Sequence, residues 1–409
     1  MAKRTGGFIG QDGLNAPDPA TGVTGTAGDA SVSVAFTAPS DVGASAITGY
    51  RVTDSTGAFG ASGTSSPVNV TGLTNGTSYT FNVWAINPFG YSSPSDASGS
   101  VSPQEAAWAL VAGFASGGTY LNTIDVYNIN TNGNSSDFGD LTVARATGAV
   151  MGAVTRLVFS AGRTASETST NIMDYVNPTS AGNATDFGDL VAGKQEAATF
   201  GNKTRGISAG GEGPSQGAPN YQFYDNLEYI TYATTSNTTD FGNLTQHTQV
   251  APGFSSPTRG VRSTGKAIEG GGDPVNTMDY VTIASTGNAL DFGDATTKKY
   301  GAGCCASSTR GLTAGGNSGD PDYTNLNVIE YVTISSTGNG TDFGDLLGVV
   351  GLRVRGASSQ TRGTFMGPGV TICVVTIATT GNAVDFGDLT TTGSAESFMA
   401  GSNAHGGLQ

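Results

Sequence analysis

The sequence predicts an all-β fold, a β-sandwich over residues 15–103 followed by a six-bladed β-propeller over 104–409. Three observations carry this reading. Glycine supplies 63 of 409 residues, against a usual share of about 7 %, and without a collagen triplet such an excess signals many tight turns between short strands. The tetrad Asp-Phe-Gly-Asp, or a close variant, begins at Asp137, Asp186, Asp240, Asp291, Asp342 and Asp385. The spacings of 49, 54, 51, 51 and 43 residues are those of propeller blades. Ahead of the repeats, apolar and polar residues alternate in short runs, as half-buried strands require.

Aligned on the tetrad, each repeat carries an apolar residue thirteen positions upstream: Ile124, Met173, Leu227, Met278, Ile329 and Ile372. An acidic residue follows (Asp125, Asp174, Glu228, Asp279, Glu330), with Cys373 in the sixth repeat, and then two more apolar positions. Adjacent apolar residues point to opposite faces of a strand, so both faces are covered, as when sheets stack around an axis. A Gly-Asn pair precedes five of the six tetrads and suits a hairpin turn. Upstream, Thr-Arg introduces another strand at Arg156, Arg205, Arg259, Arg310 and Arg362, and three such strands end in paired glycines. Met151, Phe200, Phe254 and Cys305, five residues before an Arg, read as core. Four strands per repeat result.

A strand closing in Gly-Gly, a variable loop, a Tyr-containing strand and an aromatic recurring about every fifty residues resemble the kelch repeat. The tetrad phenylalanines, such as Phe138 and Phe187, stand where kelch repeats usually have Trp. The first repeat opens at a second-type strand near Trp108. A spare strand, Ala395 to Ala400, follows the last tetrad and is expected to close the first blade, which removes the open edge.

In residues 15–103, Val32, Val34 and Phe36 alternate, followed by Ile47, Tyr50 and Val52, then Tyr79, Phe81, Val83 and Ala85. Leu73 to Tyr79 resembles the tyrosine corner of fibronectin type III domains, with Phe36 where a Trp is usual.

Composition excludes several functions. The formal charge is −14 with 18 basic residues, which disfavours nucleic acid. No run of roughly eighteen apolar residues suggests a membrane span. Residues 1–14 lack an apolar segment, so no secretory signal is expected. Three cysteines cannot build a disulfide framework. Two histidines, His247 and His405, leave little for His-dependent catalysis or metal binding. No catalytic centre, cofactor or metal site is predicted.

The repeated Asp and Arg could form a charged binding ring, but are expected to pair between strands and cap turns near the surface. Cys305 reads as a small buried residue, whereas Cys373 could be exposed. The long loops of repeats three and five are the candidate contact surface. Tyr221 and Tyr224, in the loop from Glu212 to Asp225, and Tyr323 offer stacking area, while Asp320 and Asp322 offer acceptors for glycan hydroxyls. Alternatively, Tyr221 and Tyr224 simply pin a long loop.

A fibronectin-type-III-like module joined to Gly/Thr/Asn-rich kelch-like repeats resembles accessory virion proteins of tailed phages, especially cyanophages. That resemblance implies a non-catalytic tail fibre or baseplate-attached adhesin contacting the host, in multiple copies per particle. It also implies docking to other virion proteins through the arm 1–14, with Phe8 and Ile9, or through the sandwich. A capsid decoration protein or head fibre, and a bacterial extracellular carbohydrate-binding or adhesion protein, are the alternatives.

Overall fold

In the computed structural model, the described residues are 16–409 apart from 105, 117–118, 166–167, 215–220, 349–352, 368, 392–397 and 409. The chain divides into two compact units, residues 1–106 and 107–409. Both are β, and the described helix is limited to two short 3-10 turns, Ile268–Gly270 and Gly406–Leu408.

The first unit is a sandwich. One sheet orders Thr21–Gly28, Ser31–Thr37 and Val68–Thr71; the other orders Gly60–Gly63, Gly49–Asp54, Phe81–Asn87 and Gly90–Tyr91. Alternation decides which face is buried: Val32, Val34 and Phe36 point inward with Tyr50, Val52, Phe81 and Val83. Phe36 fills the expected Trp position by packing its ring 4.6 Å from that of Tyr50. The Tyr79 hydroxyl accepts a hydrogen bond from the Thr74 N–H at 3.1 Å, closing the corner. Sequence reading missed the ladder of Ser92, Ser95 and Ser98. Their hydroxyls accept from Ala85, Val83 and Phe81 N–H groups, while their own backbone N–H groups donate to the carbonyls of the same three residues.

The second unit contains, among the described residues, six antiparallel sheets of four or more strands. Sheets two, five and six each use four consecutive strands, whereas sheet four is interrupted by two short strands, Lys266–Ala267 and Asp273–Pro274, that extend the seven-stranded sheet three. Sheet two, for example, runs Ala149–Gly152, Leu157–Ser160, Ile172–Val176 and Thr185–Asp189. Sheet one joins the two ends of the unit: Met399–Ser402 pairs antiparallel with Trp108–Ala112. The observed closing strand overlaps the expected 395–400 window at Met399 and Ala400 and runs two residues past it, and residues 395–397 lie outside the described ones. Sheet three is lengthened, its third and fourth strands reaching Tyr221–Thr231 and Thr239–Gln249.

The first strands of the sheets are neighbours in the order Met399–Ser402, Ala149–Gly152, Ala198–Gly201, Gly253–Ser255, Gly303–Ala306 and Arg355–Ser358, and the last adjoins the first. A second seam runs through the tetrads. The Asn of each Gly-Asn or Ser-Asn turn accepts, through Oδ1, the N–H of the fourth tetrad residue in the preceding sheet. Six such bonds, from Asp140 to Asn183 through Asp388 to Asn134, measure 3.0–3.1 Å. The tetrad phenylalanines are buried, each 1–4 % exposed.

Two expectations are corrected. The Thr-Arg arginines do not pair with the tetrad aspartates. Arg156, Arg205, Arg259 and Arg310 lie 4.6–4.8 Å over Tyr175, Tyr229, Tyr280 and Tyr331, and Arg362 lies 5.4 Å over Phe386. Each donates to a backbone carbonyl of the following sheet, for example Tyr232 O or Ile334 O. The tyrosine ring is a better partner than an exposed carboxylate because it is fixed by packing edge-on against the tetrad Phe. Cys373, for its part, is buried at 6 % exposure, its thiol donating to Phe365 O.

Buried ion pairs occupy the acidic position of four sheets. Asp174 meets Arg145 at 2.6 Å, Glu228 meets Lys194 at 2.7 Å, Glu330 meets Lys299 at 2.5 Å, and Asp279 meets Arg262. The side chains are at most 3 % exposed. Three of the cations, Arg145, Lys194 and Lys299, stand five residues after the last tetrad position of the preceding repeat, so these pairs also cross from one repeat to the next.

Candidate functional site

The six first strands flank a cavity of about 120 Å³. An inner strand has no partner on its cavity side, so its carbonyls need other donors. Neighbouring side chains provide them. Thr199 Oγ1 donates to Val150 O, Cys304 Sγ to Gly253 O, Ser255 Oγ to Gly201 O, Ser358 Oγ to Ala306 O and Ser402 Oγ to Ser358 O. Burial pushes the Cys304 thiol up to about 11, so this group serves as a donor and not as a nucleophile.

At one end of the cavity a series of backbone bonds crosses from sheet two through to sheet six. Glu196 N donates to Thr147 O, Val250 N to Glu196 O, Gly301 N to Val250 O, and Val354 N to Gly301 O, at 2.8–3.0 Å. Thr147, Glu196, Val250 and Arg353 all adopt left-handed φ values of 52–66°. Non-glycine residues held there in one repeated position mark a conformation imposed by the surroundings.

This end also concentrates charge. Arg353 reaches Glu196 with Nε at 2.9 Å and Nη2 at 2.6 Å. The two residues precede the inner strands of sheets six and three, three places apart in a cycle of six, so the ion pair lies across the mouth. Gln195 donates to Glu212 at 2.6 Å and accepts from Thr147 Oγ1. Burial, with Glu196 nearby, raises the Glu212 carboxyl above its ordinary range. Lys266 stands 4.2 Å over the buried ring of Tyr300. Arg355 lines the cavity where the other inner strands have Ala149, Ala198, Pro252, Gly303 and Met399. Its Nε donates to Phe398 O and its Nη1 to Val354 O. Burial lowers its pKa to about 10, which leaves it cationic at neutral pH.

The opposite end is stoppered by the C-terminus. Gly406–Leu408 packs against three inner strands, and a Cβ at Gly406 or Gly407 would overlap the carbonyls of Ser307 or Gly201. His405 Nε2 meets Gly152 O at 2.9 Å, while Nδ1 accepts from Gly407 N–H at 3.2 Å. That combination specifies the neutral, Nε2-protonated tautomer, and burial lowers the His405 pKa.

The residues singled out in the sequence fall around the charged end without forming one cluster. The expected loop from Glu212 to Asp225 is in part a hairpin: Glu212–Pro214 pairs with the start of Tyr221–Thr231. Tyr221 takes part through its backbone, and its side chain lies outside the described residues. The Tyr224 hydroxyl donates to Pro214 O at 3.0 Å, so this residue pins the hairpin. Tyr323, left-handed at φ 44°, is 60 % exposed and bonds through its N–H to Gly319 O. Asp320 and Asp322 are exposed in the same turn. No described contact joins Tyr224 to Tyr323. Phe8 and Ile9 lie outside the described residues. Glu196, Glu212, Arg353 and Arg355 escaped notice because none belongs to the repeat grammar. A charge at an inner-strand position that is small or apolar in other repeats was the available signal for Arg355. Among the described residues no group of three or more His, Cys, Asp and Glu side chains is placed to hold a metal ion.

Residues 17–100 match the family model of the fibronectin type III domain, which accounts for the sandwich and its tyrosine corner. No curated protein matches the chain.

Proposed function

We propose that residues 107–409 form a six-bladed, kelch-like propeller. In this reading the chain is a non-catalytic virion structural protein of a tailed phage, a tail fibre or baseplate-attached adhesin that contacts the host surface. The observation that carries the reading is the cyclic order of the six inner strands. It is repeated in the tetrad–Asn seam and leaves the variable loops and a charged cavity mouth, spanned by the Arg353–Glu196 ion pair, at one end. Such an arrangement presents a rigid face suited to recognition. The buried ion pairs and hydroxyls join strand to strand, a structural use that agrees with display and not turnover. The fibronectin type III module and the arm 1–14 are the proposed attachment to other virion proteins, and a surface glycan is the proposed host partner.

Immunoelectron microscopy of purified particles, with antibodies raised against residues 107–409, tests this reading. Label on the tail or baseplate is expected. Label on the head would favour a capsid decoration protein or head fibre. Absence from particles, with the protein instead on a bacterial surface, would overturn the virion reading in favour of a bacterial adhesion protein.

A further inference from the structure

The charged mouth has a chemistry that the overall composition does not predict. In a chain of net charge −14, Arg353, Arg355 and Lys266 are gathered around one cavity end, and Arg163 adds its field to Glu212. Glu196 answers Arg353. Glu212 lies nearby, its carboxyl raised by burial and by Glu196, and even counted as charged the two glutamates answer only two of these four cations. The mouth is therefore a positive spot in a negative field, and low-dielectric walls focus such a spot.

Arg355 is the most telling member. Nε and Nη1 are fixed by two backbone carbonyls, whereas Nη2 has no described partner, and the residue lines the cavity. A guanidinium immobilised in this way loses little entropy on binding. A cavity of about 120 Å³ accepts a carboxylate and its nearest atoms but not a whole pyranose, so the rest of the ligand stays at the rim. There Tyr323, 60 % exposed, lies within electrostatic reach of Tyr300. Asn317 and Ser318 brace its turn through hydrogen bonds to Tyr323 O and Thr324 N.

We infer that the mouth binds an acidic saccharide, a uronic acid or similar carboxylated sugar, whose carboxylate enters the cavity to Arg355 and displaces Glu196 from Arg353. The proposal rests on the adhesin reading for its choice of a glycan. It makes Glu196 an internal surrogate for the ligand: the same ion pair that bars the mouth in the empty protein is the contact the ligand must take over.

The test uses the full-length protein and oligogalacturonate, with neutral galacto-oligosaccharide and an oligoglutamate peptide as comparisons, read by calorimetry and ligand-observed NMR. Oligogalacturonate is expected to bind and the neutral sugar to bind at least about tenfold more weakly, as loss of a charge-assisted hydrogen bond implies. Arg355→Ala should weaken the acidic sugar by about tenfold or more. Lys266→Ala, at a partly exposed position, serves as a second variant that leaves the fold intact and should weaken binding several-fold. Glu196→Gln removes the internal competitor and should strengthen binding. Equal binding of both sugars, or weakened binding in Glu196→Gln, would overturn the proposal. Preference for the glutamate peptide would overturn the saccharide assignment. Particle localisation is read independently, so a protein that is on tails yet ignores acidic sugars sinks this inference alone. A protein that binds them but is absent from particles sinks the virion reading alone.

Discussion

Gly139 lies directly against the backbone of Gly182, and a Cβ on Gly139 would overlap the Gly182 carbonyl. The Gly182 N–H meanwhile donates to Phe138 O at 2.8 Å. This close approach recurs at Gly188, Gly242, Gly293, Gly344 and Gly387, so the tetrad glycine is needed for crowding as well as for its φ of 136–150°. Gly139→Ala should cost about 1–3 kcal/mol, seen as a lower midpoint in denaturant with an unchanged slope. An unaltered midpoint would show that the seam yields without strain.

The buried ion pairs give a second prediction. Lys194→Met strands Glu228 without its cation and should destabilise the protein by about 3–5 kcal/mol. Adding Glu228→Gln should recover part of this, because Gln can still accept from Val191 N–H and Thr238 Oγ1, which bond Glu228 in the native protein. Full additivity of the two losses would count against coupling.

Acid should weaken the same pair. Burial alone would raise the Glu228 carboxyl, but Lys194, Thr238 and the Val191 N–H outweigh it and hold the pKa below 4.5. A depressed acid contributes stability that is present above its unfolded pKa and lost as pH falls through the folded value. Thermal melts of the native protein should therefore decline below about pH 4.5, and Glu228→Gln should flatten that part of the profile. An identical decline in the variant would assign it to other carboxylates.

His405 acts in the higher range. Its folded pKa is lowered by burial from 6.5, so the neutral form favours the folded state. That contribution is complete above pH 6.5 and diminishes as pH falls below it. Proteolysis of the C-terminal stopper should accelerate between pH 6.5 and 5 in the native protein and show a weaker dependence in His405→Gln. Equal pH dependence in both proteins would remove His405 from this role.

The closing strand gives the largest effect. A chain ending at Leu389 lacks Met399–Ser402, which leaves Trp108–Ala112 as an open edge beside the exposed ends of sheets two and six. Circular dichroism should report loss of the main cooperative transition, and light scattering should report association. A two-state melt near the native midpoint would mean that the ring of inner strands tolerates a gap.

Much of the fold was legible because repetition amplifies weak signals. Six copies of one tetrad exposed the period, and Phe200, Phe254 and Cys305 at one offset marked core. Pairing across repeats was harder to read. Lys194 and Glu228, like Lys299 and Glu330, stand on opposite sides of a repeat boundary, and the acid alone resembled a surface residue. Arg353 and Glu196 are 157 residues apart and belong to no common pattern. The left-handed backbone at Thr147, Glu196, Val250 and Arg353 was invisible because none is glycine. The exposure of Tyr323 was legible from loop length and composition, whereas Tyr224 was read as loop because the 221–231 strand overruns its repeat.

The tetrad–Asn seam also bears on how such a chain changes over generations. Each repeat offers its neighbour the same carboxamide oxygen and accepts it with the same backbone N–H, so the joint carries no label that tells one repeat from another. Duplicating, exchanging or deleting a repeat in the gene preserves every joint that remains. Only the circumference must readjust. Diversity is then free to accumulate in the loops at the rim, while the seams can be copied unchanged.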